Sequence, residues 1–273
     1  MCLEEKIVFE SFESENNNYK ELKDLIIQRI LLESKMYDLL YPDDNFVTPV
    51  FIVTANLHDS ALNFYNKYNY SDNYITDVTK RAHWDTTIGL TLYGSSLSDV
   101  YIFINIQYFL TDNNFFTILH ELTHVNDYYL FCQKNNLFSE KYESFIKSTF
   151  FPKLYFLSEF RAHYRCFSRI PIEDLNKLFK VQCQTFSQCQ QEAIESQQLE
   201  VFNYIVARFL GVSCNYIEKC MTPFQQNNIL LSEKDDYIAD FHKLLYPLRN
   251  VSFIEIQKHL PEISFIMNKM TQN

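Results

Sequence analysis

Three side chains in one short stretch have the types and the spacing of a catalytic metal site. Residues 116–124 read FTILHELTH, which places His120 and His124 four residues apart with Glu121 beside the first. On a helix, residues i and i+4 lie one turn apart on the same face, so the two imidazoles can bind one ion. Glu121 can then take a proton from a water on that ion. The pattern predicts a zinc site with a general base, which is the chemistry of metal-assisted hydrolysis.

The rest of the motif helix separates an apolar stripe from a more polar side. The histidines fall with Thr117 and Asp127, away from the stripe, and we expect this polar side to face a cleft. The alternative is an ordinary amphipathic helix that carries two solvated histidines. The stripe consists of Phe115, Ile118, Leu119, Leu122, Val125 and Tyr129.

Two histidines do not hold a catalytic zinc ion well, so a third protein ligand is expected. Glu159 is the best candidate, because it lies on a predicted helix of about 153–169 that follows Pro152 and has a strongly apolar face. A half-buried carboxylate needs a partner, and a zinc ion would be one. The alternative is an ion pair of Glu159 with one of the neighbouring basic side chains, namely Arg161, His163 or Arg165.

Three further carboxylates lie between the motif and Glu159. Asp127 follows His124 by about one turn, and its short side chain suits a hydrogen bond to a histidine ring nitrogen better than a bond to the ion. Glu140 and Glu143 lie beside lysines and are predicted to be solvated.

A small sheet must precede the motif helix and position it. The β-branched run at 49–57 predicts a strand, and the segments 84–94 and 99–105 predict an antiparallel hairpin with one buried face. The next helix is predicted to begin after a cap at Thr111 or Asp112 and to run to about residue 133.

The remaining chain is predicted to be helical. We expect a loose arm at 1–18, a helix at 19–40, and only helices after Pro171. The predicted domains are a core with an N-terminal helix at 1–171 and an all-helical region at 172–273 that packs on it. The fold class is therefore α+β and predominantly helical. The predicted C-terminal helices are 172–185, 187–211, 213–221, 232–246 and 252–270.

Composition limits the classes of binding partner and the cellular compartment that we expect for this protein. A net charge of −10 disfavours binding to nucleic acid or to an anionic membrane surface. We find no signal peptide and no run of apolar residues that could span a bilayer. The seven cysteines are an odd number without a repeated spacing, which predicts reduced thiols in a cytoplasmic protein. Export by a non-classical route stays open, and the oligomeric state is not predicted.

The quoted motifs resemble those of known zinc peptidases. Residues 116–124, preceded by YIFIN at 101–105, resemble the active-site region of the ImmA/IrrE-type zinc peptidases, in which a strand ending in Ile/Val-Asn precedes Phe-Thr-x-x-His-Glu-Leu-x-His. The segment 159–162, EFRA, with Pro171 beyond it, is similar to their third-ligand segment. HELTH followed by Asp-Tyr is also similar to the thermolysin-type peptidases.

This resemblance covers about residues 84–171 and implies a zincin-like core. Such a core has a small antiparallel sheet packed on the HExxH helix and on a helix that bears the third ligand. It also implies the gluzincin ligand set of His120, His124 and Glu159, with Zn²⁺ as the cofactor. The gap before Glu159 is longer than usual, which implies an inserted loop or short helix around 131–151. Four residues after Glu159, His163 stands where thermolysin-type enzymes have an aspartate that orients a ligand histidine; Asp127 is a hypothetical substitute.

The predicted activity is that of a zinc metallopeptidase acting on a selective protein or peptide substrate. Glu121 is the expected general base, and the substrate backbone is expected to pair with an exposed strand of the sheet. Two alternatives remain, namely an exported effector or toxin protease and a catalytically inactive zincin-like interaction module. The candidates for stabilising the oxyanion are His83, Tyr155, His163 and Tyr164.

Overall fold

The computed structural model describes most of the chain, which divides into two compact units, Met1–Ser148 and Thr149–Asn273. The predicted division at residue 171 stays a prediction, because compactness does not show which segment carries a catalytic core. The predictions that concern His83, Thr111, Asp112 and Phe115 fall outside the described residues. Those residues are 3–10, 17–42, 47–81, 84, 87–110, 116–195, 199–222, 225–226 and 237–270.

The first unit contains a four-stranded mixed sheet of order β1-β2-β4-β3. Its strands are β1 (Ile7–Glu10), β2 (Val50–Thr54), β3 (Gly89–Tyr93) and β4 (Val100–Asn105). The predicted hairpin of β3 and β4 is confirmed as antiparallel. The prediction of a wholly antiparallel sheet is wrong, because β2 pairs in parallel with both β1 and β4.

The parallel pairing follows from the helix between the first two strands. Helix α1 (Asn17–Leu40) provides the long crossover that two parallel neighbouring strands need. The prediction of a loose arm is wrong for the described residues Leu3 to Glu10. They form a short 3-10 helix, Leu3–Lys6, and then β1. Four strand residues are too few to give a clear alternation in the sequence.

Helices cover both faces of the sheet, so the prediction of one buried face is wrong. On one face, Ile52, Leu92 and Phe103 belong to an apolar cluster with residues of α2 (Leu57–Lys67). Helix α3 (Asp72–Arg81) follows α2 and contributes to the same cluster. On the other face lies the motif helix, α5. Sheets with parallel strands are usually covered on both sides, because their crossover helices pack there.

Helix α5 (Thr117–Asn135) is preceded by the short α4 (Ile106–Phe109) and followed by the short α6 (Tyr142–Ile146). Every residue of α5 from Thr117 to Tyr128 is buried. The predicted apolar stripe is therefore confirmed for its residues from 118 to 125, but the supposedly polar side is buried as well. This excludes the alternative of two solvated histidines on an ordinary surface helix.

The described part of the second unit is helical, as predicted. The helices are α7 (Phe151–Phe167), α8 (Ile172–Glu195), α9 (Leu199–Cys220), α10 (Tyr237–Leu248), α11 (Phe253–Ile256) and α12 (Leu260–Met270), with a 3-10 turn at Gln257–His259. Pro152 lies in the first turn of α7, as predicted. The predicted breaks at residues 186 and 212 are wrong, because α8 and α9 run through them. Gly211 does not end a helix, because it lies within α9 and none of the described glycines has a positive φ.

Gly211 is needed where α9 meets α7. A Cβ atom at this position would lie 2.7 Å from Cβ of His163 and 2.9 Å from the backbone nitrogen of Tyr164. One turn further along α9, the side chain of Asn215 donates to the carbonyl of Tyr164 at 2.8 Å. A glycine inside a helix costs about 1 kcal/mol relative to alanine, and here the closer packing of two helices offsets that cost.

Two expectations from composition can be compared with the described residues. No helix among them is long and apolar enough to cross a membrane. Six of the cysteines lie within the described ranges and all six are free thiols, with Cys132, Cys166 and Cys214 buried.

Candidate metal centre

The structure brings together the three residues predicted to be metal ligands. One ligand-capable atom from each of His120, His124 and Glu159 lies within 4.8 Å of the others, and all three residues are buried. The Nε2 atoms of the two histidines are 3.1 Å apart. Two nitrogen ligands on one tetrahedral zinc ion are separated by about 3.3 Å, given Zn–N bonds of about 2.0–2.1 Å. The group could therefore bind a metal ion, and its N, N, O donor set suits zinc among other divalent transition metals.

The charge state of His124 also suits a ligand. Burial lowers the pKa of this imidazole to about 3. The side chain is therefore neutral at physiological pH, and the neutral imidazole is the form that binds metal ions.

Helix α5 is held at its start by a residue from α1. Phe116 occupies the N-cap position and provides no side-chain cap. Instead, Oε2 of Glu33 accepts a hydrogen bond of 2.9 Å from the N–H of Ile118. Thr111 and Asp112, the predicted caps, lie outside the described residues, and the described helix begins at Thr117.

Glu121, the predicted base, is held by the neighbouring edge strand. The hydroxyl of Thr91 donates to Oε2 of Glu121 at 2.7 Å. Burial raises the pKa of Glu121 to about 7, although hydrogen bonds from the hydroxyl and the backbone N–H of Thr91 lower it. A carboxylate with a pKa near neutrality is well suited to accept and return a proton at physiological pH.

Strand β3 passes close to Glu121 because it has a glycine at the point of contact. A Cβ atom on Gly89 would lie 2.8 Å from Cγ2 of Thr117 and 2.9 Å from both Cγ and Oε1 of Glu121. Any larger residue would push the strand away from α5. Gly89 and Thr91 lie two residues apart, so they share the face of the strand that meets the helix.

β3 is an edge strand whose outward-facing backbone groups lie beside this base. The N–H of Asn105 donates to the carbonyl of Ile88 at 2.8 Å, and the N–H of Gly94 donates to the carbonyl of Asp99 at 2.7 Å. In an antiparallel pair these bonds involve alternate residues, so the even-numbered residues of β3 bond to β4. The backbone groups of Gly89 and Thr91 therefore point away from β4, and the N–H of Thr91 bonds there to Glu121.

Glu159 is placed by the second unit on α7, which is buried from Phe156 to Phe167. Nε2 of His163 lies 3.5 Å from Oε2 of Glu159, so one of the alternative partners is indeed in contact with this carboxylate. Arg161, another alternative, donates to the carbonyl of Val251 at 2.8 Å. His163 is thus a neighbour of the candidate ligand.

The other predicted site residues have different surroundings. Asp127 is fully buried, although it was expected on the polar side of α5. Glu143, which was expected to be solvated, accepts hydrogen bonds from Ser71 at 2.5 Å and 3.2 Å. The hydroxyl of Tyr164 donates to Glu218 at 2.5 Å. The roles of Asp127, His163 and Tyr164 in orienting ligands or stabilising a transition state stay predictions.

Three positions that contact α5 were not predicted from the sequence as parts of the site, namely Glu33, Gly89 and Thr91. One signal was available for Gly89, because the chain has only three glycines and one of them lies inside a predicted strand. A glycine inside a strand often marks the close approach of another element. Glu33 and Thr91 carry no local signal, since their contacts come from residues 30 or more positions away.

Comparisons with protein-family models, with curated proteins and with solved structures found no match to this chain. The resemblance to zinc peptidases therefore rests on the quoted motifs, and the zincin-like core stays a prediction.

Proposed function

We propose that this protein is a zinc-dependent metallopeptidase that hydrolyses peptide bonds in a selective protein substrate. The observation that carries the proposal is the buried group of His120, His124 and Glu159, which is compatible with a metal site, with the carboxylate of Glu121 on the same helix. Keeping Glu121 buried is unfavourable, as its raised pKa indicates. An inactive interaction module would have no use for a carboxylate in this place.

In the proposed reaction, His120, His124 and Glu159 hold the ion. When bound, the ion supplies Lewis-acid chemistry, lowering the pKa of a water molecule and polarising the scissile carbonyl. Glu121 accepts the proton of the attacking water as a new C–O bond forms. It then passes that proton to the leaving amine as the peptide C–N bond breaks. Thr91 holds the carboxylate of Glu121 beside the strand during both transfers.

We further propose that the substrate backbone pairs with the free edge of β3. The outward-facing N–H and carbonyl of Gly89 and the carbonyl of Thr91 offer a donor and acceptors to an added strand, whereas the N–H of Thr91 bonds to Glu121. Such pairing recognises an extended segment through its main chain. Selectivity must therefore come from pockets that accept the substrate's side chains.

A comparison of the parent with Glu121→Gln tests the proposed function. Because this substitution removes the base and leaves the ligands, it should keep the metal and reduce cleavage by at least about 100-fold. The measurement is the set of new protein N-termini in cells that express each form, together with the metal content of the purified proteins. Glu140→Gln, which changes an exposed carboxylate, is the matched control and should give the parental termini. Identical termini with the parent and with Glu121→Gln would falsify the mechanism.

A further inference from the structure

His120, the first candidate ligand, lies at the end of the first turn of helix α5. The N–H of His120 donates to the carbonyl of Phe116 at 2.9 Å, which is the first hydrogen bond of the helical ladder. The N–H groups of the three residues from Thr117 to Leu119 precede it and must find acceptors outside the helix. Since this part of α5 is buried, bulk water is a poor substitute.

Glu33 of α1 supplies the acceptors that Phe116 does not. Its Oε2 accepts the N–H of Ile118 at 2.9 Å, and its carboxylate also accepts a backbone hydrogen bond from Leu119. A carboxylate at a helix N-terminus is further favoured by the positive end of the helix dipole. Glu33 is only 5% exposed, so its side chain belongs to the protein interior and not to the surface.

Arg29 lies one turn before Glu33 on α1. It connects the carboxylate of Glu33 to the part of the chain that precedes α5. Its Nε donates to Oε1 of Glu33 at 3.0 Å. Its guanidinium also donates to the carbonyl of Phe109 and lies 4.1 Å from the centre of that ring. Arg29 and Glu33 thus hold the backbone on both sides of the segment that leads into α5, with the carbonyl of Phe109 before it and the N–H of Ile118 after it.

We propose that Glu33, supported by Arg29, is a positioning residue for the metal centre, which acts by fixing the first turn of α5 and therefore the place of His120. This inference rests on the proposed role of His120 and His124 as metal ligands. If the first turn unwinds, His120 loses its own backbone hydrogen bond, whereas His124 lies one turn deeper in the helix. The expected effect is therefore on ligand geometry as well as on stability.

The test measures metal binding in the full chain with Glu33→Gln and Glu33→Ala. The probes are Zn²⁺, titrated against a chromophoric chelator, and Co²⁺, whose visible absorption depends on its coordination geometry. Residues that orient metal ligands typically change affinity by about 10–100-fold when they are replaced. We expect about a 10-fold loss for Glu33→Gln, which keeps one acceptor oxygen, and a larger loss with an altered Co²⁺ spectrum for Glu33→Ala.

Ile30→Val is the matched control, because Ile30 is a fully buried residue of the same helix. It should lower the stability modestly and leave the cap intact, so its metal affinity and Co²⁺ spectrum should equal those of the parent. If Glu33→Ala does not fold, Glu33→Gln alone decides the matter. A parent that binds metal, together with a Glu33→Gln form that binds equally well with the same spectrum, overturns the positioning role alone. A parent that binds neither ion overturns the proposed function, and the positioning role with it.

Discussion

The Nε2 atoms of His120 and His124 lie 3.1 Å apart in a helix that is buried around both of them. At this distance one neutral imidazole can donate its Nε2–H to the other, or both nitrogens can bind one cation. Burial disfavours a positive charge on His124, as its lowered pKa indicates. A metal ion that binds the pair would therefore take the place of the proton between two neutral rings.

Metal loading should raise the thermal stability of the protein. An ion that binds the folded chain stabilises it by about 2.7 kcal/mol at a free concentration 100 times its dissociation constant. We expect Zn²⁺ to raise the Tm of metal-free protein and a chelator to reverse the shift, measured by differential scanning fluorimetry. Mg²⁺, which prefers oxygen ligands, is the control and should not shift the Tm. A Tm that is insensitive to Zn²⁺ would contradict the site.

Replacement of Glu159 should weaken metal binding. Glu159→Ala removes one of three ligand-capable groups, so the dissociation constant for Zn²⁺ should rise by about 100-fold. The measurement is competition with a chelator of known affinity. Glu140→Ala, which removes an exposed carboxylate that was also considered as a ligand, should leave the affinity unchanged. If Glu159→Ala binds Zn²⁺ like the parent, another group must be the third ligand.

The close passage of β3 over α5 should make Gly89 intolerant of substitution. In Gly89→Ala the new methyl group would meet Cγ2 of Thr117 at 2.8 Å and the side chain of Glu121 at 2.9 Å. Such overpacking typically costs about 1–3 kcal/mol, measured here by urea unfolding. Adding Thr117→Ser removes Cγ2 and should recover part of that loss. Purely additive effects of the two substitutions would show that the methyl group does not press on Thr117.

Glu218 should make stability depend on pH below neutrality. Burial alone would raise the pKa of this carboxyl group, but hydrogen bonds from Arg249 and Tyr164 lower it below its ordinary value of 4.5. Because the pKa is lower in the folded state, these bonds stabilise the protein at pH above 4.5 and the stabilisation is lost as the pH falls through the folded value. Glu218 is 34% exposed, so we expect only about 1 kcal/mol.

The check on this prediction is Glu218→Gln. The free energies of unfolding of the parent and the variant should differ most at pH 7 and should converge as the pH falls below 4.5. A difference that stays constant over this range would mean that the charge of Glu218 does not contribute.

The motif and the β3–β4 hairpin could be predicted from sequence because each depends on local spacing. The two histidines share a helical face through the i, i+4 rule, and alternation in 89–93 reveals a strand whatever its surroundings. Glu159 was found from a chemical requirement, the need of a buried carboxylate for a partner.

What could not be predicted depends on contacts between distant residues. The parallel pairing of β2 with β1 and β4 could not be predicted, because a strand's partners are not encoded in its own alternation. Strand β1 was missed as well, since its four residues give no clear pattern. Glu33 looks like any charged residue of an amphipathic helix until α5 is placed against it. The burial of Asp127 likewise comes from neighbours elsewhere in the chain, since no periodicity shows that a helix is covered on all sides.

The contact at Gly211 has a consequence for how the third candidate ligand is held along its helix. His163 fits against the one position of α9 that has no side chain. Sliding α7 along α9 would move His163 away from Gly211 and toward the positions one turn away on the same face, Ala207 and Asn215, which carry side chains. The contact at Gly211 therefore favours one alignment of α7 along α9. Because Glu159 lies one turn from His163 on the same face, this contact also fixes the position of the Glu159 carboxylate along the axis of α7.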